Sequence, residues 1–336
     1  MNRNLRMPAE WEPQSAVWFA WPANTTWWPG NYEKVTNRFG AMIATISNHT
    51  PVKLICCKKA QEDAQKKIFQ SCPLLANIEF IDYETDDVWC RDFGPIFVQS
   101  ENKTLDITNW EFNAWGAKFP NWDKDNGFPE RAARLLDLNI HSTAIILEGG
   151  AIDVNGKGTL LTTEDVLLNP NRNEGMTKEE YEALFKEFLG IDKTIWLNKG
   201  LHNDDTDGHI DNLARFINED TIAIASEANP HSPNFEPLRE NLEILRKSGF
   251  KIVEVPLPDP VMYEGEMLPA SYMNFLITND LLLVPVYNKP EKDKLALEIF
   301  KEHFPNHQIE GFDCNDFLLE GGAIHCLSQQ QPAPLN

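Results

Sequence analysis

Three short segments of this chain concentrate side chains that could do chemistry. The eight residues Asp204–Asp211 hold four aspartates and one histidine, His209. Trp89–Pro95 places Arg91 and Asp92 just ahead of a Gly94-Pro95 stop, and Glu320–Gln330 carries Gly321, Gly322, His325 and Cys326. A thiol can act as a nucleophile, an imidazole as acid and base, and a carboxylate can anchor a cation.

Each segment also has a plainer reading. Gly94-Pro95 ends regular structure and opens a hairpin, so Asp92 sits on a loop, where Arg91 and Asp92 read as a surface ion pair beside a buried tryptophan. Asn203, Asp205, Asp207 and Gly208 match the first half of a calcium loop, but its twelfth position needs a bidentate glutamate and holds Ala214. A metal on His209 and Asp211 would lack a second histidine nearby. The catalytic reading makes His209 the acid and base and Asp211 the anchor. Two residues apart on a strand, the two side chains would point the same way. The glycines before Cys326 allow the backbone close to a ligand.

The hexapeptide Leu-Glu-Gly-Gly-Ala-Ile occurs at Leu147–Ile152 and again at Leu319–Ile324. The first copy supplies the carboxylate of Glu148 and runs into Asp153; the second runs into His325-Cys326. Such a repeat points to duplicated structural units that end in different chemistry.

Those units should combine a hairpin, a helix and a strand. Hydrophobic spacing predicts helices over Tyr32–Ser47, Glu62–Gln70, Phe128–Leu136, Lys178–Leu189, Glu236–Lys247 and Lys292–Phe304. Thr177 and Glu180 form a capping box for the fourth. Strands are expected at Ala16–Trp21, Val52–Cys57, Ile78–Ile81, Pro95–Val98, Leu105–Phe112, Ala151–Val154, Thr159–Thr163, Leu213–Ile217, Thr221–Ala225, Ile252–Val255, Phe275–Ile277 and Leu281–Val286. Asn155-Gly156 and Asn279-Asp280 serve as hairpin turns. At about 67 residues per unit the chain holds roughly five, which suits closed radial repetition. Asp92, Glu148, and His209 with Asp211 each precede a hairpin, a placement that would gather them at a common axis. Cys326 lies ten residues before Asn336, so its strand must close the fold.

Composition narrows the function. The 336 residues are 42% apolar and 24% charged, and read as one globular α/β domain over residues 1–336. No apolar run is long enough for a membrane span and no signal peptide is visible, so a cytoplasmic location is expected. Of the six cysteines, all but Cys326 read as small buried hydrophobes, and the absence of a CxxC pair argues against structural zinc. A net charge of −21 disfavours nucleic acid and anionic membranes and favours a cationic small substrate. A homo-oligomer is compatible with all of this.

Taken together, Trp89-x-Arg91-Asp92-x-Gly94-Pro95, Glu148-Gly149-Gly150, Thr206–Asn212 and Gly321-Gly322-x-x-His325-Cys326 resemble the agmatine deiminase/bacterial peptidylarginine deiminase family of guanidine-modifying enzymes. Met7–Trp11 and Phe112–Gly116 resemble it too. The resemblance implies a five-bladed α/β propeller, the pentein fold, with no metal and no cofactor. Two stretches depart from the family pattern: only two glycines lie between Glu320 and Ala323, and Trp27-Trp28-Pro29-Gly30 is unusual. Both bear on substrate choice.

It further implies a mechanism. Asp92 and Asp211 grip a planar guanidinium through paired N–H groups while Cys326 adds to its carbon. His209 protonates the departing ammonia and then activates water, with Glu148 orienting it by a hydrogen bond. Gly322 lets the backbone approach the substrate. Trp89 and Trp115 would wall the far end of agmatine, whose terminal ammonium suits aromatic faces and carboxylates better than arginine's carboxylate would. Free or peptidyl arginine and amidino transfer remain alternatives; a binding protein without activity would have no use for the nucleophile.

Overall fold

In a computed structural model, which describes residues 5–71 and 77–334, the chain folds into five three- or four-stranded sheets. Each repeats one plan. An antiparallel pair is followed by a helix that returns the chain to a third strand lying parallel to the second.

The first sheet contains β1 (Gln14–Ala20), β2 (Val52–Ile55) and β3 (Ile78–Ile81), joined by the helices Tyr32–Ser47 and Gln61–Ser71. The second contains β4 (Ile96–Gln99), β5 (Leu105–Glu111) and β6 (Ile140–Ile146) with the helix Phe128–Leu136. The third contains β7 (Asp153–Val154), β8 (Thr159–Thr163) and β9 (Lys193–Leu197) with Lys178–Leu189, whose capping box of Thr177 and Glu180 is formed. The fourth contains β10 (Ala214–Asn218), β11 (Thr221–Ser226) and β12 (Lys251–Pro256) with Phe235–Arg246. A small hairpin, β13 (Met262–Tyr263) and β14 (Glu266–Met267), precedes the fifth sheet. That sheet contains β15 (Leu276–Ile277), β16 (Leu281–Val286) and β17 (Gln308–Asp313) with Pro290–His303. Finally β18 (Ser328–Pro332) pairs antiparallel with β1 and completes the first sheet.

Side chains sew neighbouring sheets together in order. Arg91 Nη1 donates to Oε1 of Gln329 and Gln330, joining the second sheet to the first at 2.7 and 2.6 Å. The Gly150 amide donates to Asp92 across the next boundary, and the Phe216 amide to Asp153 across the third. Arg215 Nη1 reaches the Phe275 carbonyl at 3.0 Å, and Asn279 and Gln14 exchange two hydrogen bonds that return to the first sheet. The five units therefore form a ring, as the repeat predicts.

Most expected elements lie within two residues of their predicted ends. Ala151–Val154 is shorter, because Gly149–Ala151 turns as a 3₁₀ segment and only Asp153–Val154 pairs. Besides the small hairpin of β13 and β14, four strands were not expected: β6, β9, β17 and β18. The first and third are half exposed along their length, which blurs their alternation. β18 is Ser-Gln-Gln-Gln-Pro, polar in sequence yet largely buried, since its glutamines serve Arg91. Cys326 lies two residues before β18, so the strand that follows it, not one that carries it, closes the ring.

Val35, Phe39, Met42, Ile43 and Ile46 are all buried on the first helix, as its periodicity requires. Phe39 meets Phe19 and Trp21 edge-on at ring separations of 6.2 and 5.6 Å. Cys56, Cys57, Cys90 and Cys314 are buried free thiols, and Cys72 lies outside the described residues. Among the described residues no helix is long and apolar enough to cross a membrane.

Candidate active site

The segments that precede the hairpins converge. Asp92 sits on a single helical turn, Cys90–Phe93, and is buried with one donor on each carboxylate oxygen. Oδ1 accepts the Gly150 amide and Oδ2 accepts the Trp115 indole N–H, each at 2.9 Å. Arg91 turns the other way, toward β18, and is equally buried. The surface ion pair is therefore ruled out; both residues are interior.

Glycine at 150 is a steric necessity. A Cβ there would lie 2.5 Å from His209 Nδ1 and 2.7 Å from Asp92 Oδ1. The equivalent glycine of the second hexapeptide, Gly322, has Trp89 against it, and a Cβ would fall 2.3 Å from the indole ring. The repeated Gly-Gly thus serves one purpose twice: it lets a site side chain approach the backbone.

His209 is not on a strand. It precedes a 3₁₀ turn, Ile210–Asn212, that places Asp211 beside Cys326. His209 Nδ1 stands 3.6 Å from Asp92 Oδ1, too far for a hydrogen bond, and neither ring nitrogen has a protein partner. Asp211 Oδ2 accepts His325 Nδ1 at 2.8 Å and lies 3.6 Å from Cys326 Sγ, while Oδ1 has no protein partner.

Glu148 does not hydrogen-bond His209. Its Oε1 is taken by Arg172 Nε at 2.6 Å and its Oε2 is buried without a partner. Arg172 also binds Asp207 and the Thr206 carbonyl, so it ties Glu148 to the loop that carries His209. A guanidinium, with five donors in a fixed fork, outcompetes a single ring N–H for that carboxylate.

Trp115 is held unusually. Ala114, Trp115 and Ala117 have φ of 50°, 57° and 57°, with Gly116 at 88°, a left-handed turn braced by the Asn113 side chain on the Gly116 amide. Left-handed backbone costs roughly 1–2 kcal/mol per non-glycine residue, a cost offset by the contacts that aim the indole at Asp92. Trp115 was expected to wall the far end of the substrate; it lines the cavity over the site, and its indole N–H also binds the Asp92 carboxylate.

Over these groups lies a cavity of about 600 Å³ whose walls include Trp27, Trp89, Trp115, Phe119 and Trp122. Its carboxylates are Glu84, Asp86, Asp87, Asp125, Asp205 and Glu320 beside Asp92, against only Lys59 and Lys124. Asp92, Gly322 and Cys326 line it directly, while His209, Asp211 and Glu148 stand behind.

Electrostatics follow from burial. Desolvation pushes Asp92 up to about 6, with Asp211 and Glu148 adding to it and His209 opposing. Burial likewise drives the Cys326 thiol well above the ordinary range, and Asp211 and Asp92 push it further. Burial also raises Asp211, but His325, His209 and Arg215 outweigh it and hold that carboxyl below its usual range.

Sequence reasoning missed a buried ionic network behind the site. Glu10 Oε2 accepts Arg215 Nη2 at 2.7 Å and His325 Nε2 at 2.8 Å, and Arg215 Nε binds Asp153. Asp153 and His325 are the residues that follow the two hexapeptide copies, so the repeat delivers both to one network. A signal existed: Arg215 interrupts an apolar strand, where an arginine is buried only when paired. Asn274, which also touches Cys326, carried no such signal.

The comparisons with known proteins agree with this geometry. The family model of the Porphyromonas-type peptidyl-arginine deiminases matches residues 6–332. Agmatine deiminases of Pseudomonas syringae pv. tomato and Stutzerimonas stutzeri are each 34% identical, covering 98% of this chain and 96% and 95% of their own. A cysteine-to-serine variant of C. jejuni agmatine deiminase, solved with substrate bound, superposes with a TM-score of 0.92 at 33% identity. That match covers 99% of this chain and 97% of the other. Agmatine deiminase of Enterococcus faecalis superposes at 0.91 and 31% identity, with the same coverage. The N-terminal domain of a cyanobacterial arginine dihydrolase, at 12% identity and a TM-score of 0.53, shares the fold alone. The chain belongs to the Porphyromonas-type peptidyl-arginine deiminase family, a family of enzymes that modify guanidino groups by hydrolysis.

Proposed function

We propose that this enzyme hydrolyses agmatine to N-carbamoylputrescine and ammonia. The observation that carries the reading is a set of buried groups with no protein partner: Asp211 Oδ1, Glu148 Oε2 and both nitrogens of His209. Buried polar atoms are rarely left unpaired without a functional reason. A planar cation with several N–H donors, seated above Cys326, would satisfy the carboxylate oxygens together.

In this mechanism Asp92 and Asp211 receive the guanidinium and set its carbon over the sulfur. The cation cancels the repulsion that keeps the thiol protonated, and the proton leaves to His209. Sulfur then bonds to the carbon, the C–N bond breaks, and His209 returns the proton to the departing ammonia. Water, deprotonated by the same imidazole, adds to the thiouronium carbon. The C–S bond breaks, leaving the ureido product and the free thiol. Arg172 holds Glu148 against the loop that carries the imidazole.

Agmatine is favoured by the acidic cavity. Its terminal ammonium meets carboxylates and indole faces, whereas an α-carboxylate would meet like charge. A panel of agmatine, arginine, an arginine-containing peptide and a simple alkylguanidine, read by ammonia release, tests this. Agmatine should lead; a faster peptide would transfer the reading to peptidyl arginine. Within the same panel Trp89→Ala should raise KM about tenfold for agmatine and less for the alkylguanidine, since a desolvated cation–π contact is worth on the order of 2 kcal/mol. Trp115→Phe removes the donor to Asp92, so it should slow every substrate about tenfold. Equal losses at Trp89 for both compounds would mean that it only packs.

Asp92 sets the acid side of the pH profile. Only its ionised form grips a cation, so kcat/KM for the free enzyme should fall about tenfold per unit below about pH 6. A flat profile down to pH 5 would remove Asp92 from that role. The stability sign runs opposite to the usual carboxylate case. The folded state holds the proton more tightly than the unfolded chain, so stability drops as pH rises through the interval up to about 6.

A further inference from the structure

Asn274 lies in the turn before β15, is 1% exposed, and has every polar valence of its side chain engaged. Its Oδ1 accepts the backbone N–H of His325 at 3.0 Å and of Cys326 at 3.2 Å. Its Nδ2 donates to Asn212 Oδ1 at 2.8 Å and to Cys326 Sγ at 2.9 Å. The amide cannot be turned over. A flipped carboxamide would set N–H against two backbone N–H groups and oxygen against both Asn212 Oδ1 and sulfur. One N–H is thus fixed on the sulfur by three further contacts, to Asn212 and to the His325 and Cys326 amides.

We infer that Asn274 is a further catalytic residue: its amide N–H stabilises and aims the Cys326 thiolate as the sulfur adds to the guanidinium carbon. This rests on the reading of Cys326 as nucleophile. A thiol is a weak acceptor, whereas a thiolate takes a full charge-assisted hydrogen bond, so the contact strengthens as the sulfur ionises. The need for it is evident from the surroundings. Asp211 and Asp92 face the sulfur with negative charge, the phenol of Tyr287 lies near, and burial strips water away. Against these stand a backbone hydrogen bond at Ala323 and the Asn274 amide. The same residue fixes direction: by holding the His325 and Cys326 amides through Oδ1 it sets the turn that carries the thiol. Asn212 links this to the 3₁₀ turn of Asp211, so nucleophile and carboxylate anchor are positioned by one hydrogen-bonded pair of asparagines.

The test reads the sulfur directly. Full-length protein without substrate is treated with iodoacetamide over pH 6–10, and the rate of carbamidomethylation at Cys326 is followed by peptide mass spectrometry, which separates it from the other thiols. Asn274→Ala should move the rate profile upward by about one pH unit, a tenfold slower reaction at every pH of the range. Asn274→Asp keeps the acceptor that holds the two backbone amides, so it protects the turn should the alanine variant fold poorly. It presents oxygen to the sulfur, and its profile should move at least as far. A purely structural asparagine would lower Tm and leave the profile in place. If folded Asn274→Asp or Asn274→Ala protein alkylates with the wild-type profile, the inference is overturned. Its failure is separable from that of the mechanism, because Cys326→Ser tests the nucleophile by turnover, independently of any alkylation curve.

Discussion

Cys326→Ser is expected to lower kcat on the order of 10⁴-fold or more while the protein still binds its substrate. A hydroxyl replaces the thiol with little change of volume, so Asn274, Asp211 and the turn before β18 keep their places. What is lost is acidity: the cation that brings a thiol within reach of ionisation leaves an alcohol far from it. Binding persists because the grip belongs to the carboxylates. Steady-state ammonia release gives the first quantity, and calorimetric titration of the variant with agmatine gives the second. Turnover within tenfold of the parent would remove Cys326 from the nucleophile role.

Asp211→Asn should cost kcat/KM on the order of 10²–10³-fold, the next largest loss. Its carboxylate has two tasks. Oδ2 lies 2.8 Å from His325 Nδ1, and Oδ1 is buried without a protein partner. An amide keeps the shape and loses the charge. Whichever way it turns, an N–H faces either the His325 ring or the substrate's own N–H groups, and the buried positive charge of Arg215 loses a nearby counter-ion. The loss should therefore appear in both KM and Tm. Asp92→Asn should fall in the same range in kcat/KM, since it too leaves a guanidinium edge facing a neutral group. If either variant behaves like the parent, that aspartate is structural.

The fold was largely legible because its unit repeats. Hairpins with polar turns and amphipathic helices recur, and one hexapeptide occurs twice, so the number of units followed from length. What escaped were strands whose reason for pairing lies elsewhere. β18 has poor strand propensity and pairs because β1 needs a partner and Arg91 needs two glutamine oxygens. Of the site, Asp92, Glu148, His209, Asp211 and Cys326 stood out because polar residues cluster beside glycines at hairpin starts. Their partners did not. Arg172 lies in a loop of ordinary composition, and nothing local says that it will capture Glu148 in place of His209. Asn274 sits between Met273 and Phe275 like any turn asparagine; its meaning comes from a sulfur 52 residues away. Glu10 gains its role only from residues more than two hundred positions along the chain.

Strand β18 has one more consequence, and it concerns biosynthesis. β1 emerges from the ribosome early, yet its partner on one edge comes with the last element of the fold. At about 5–20 residues per second, the stretch from β1 to β18 takes on the order of half a minute to make, and throughout that time β1 has a bare edge open to wrong partners. Cys326 lies in the same late stretch, two residues before β18, so the thiol and the strand that seals the ring join the fold together.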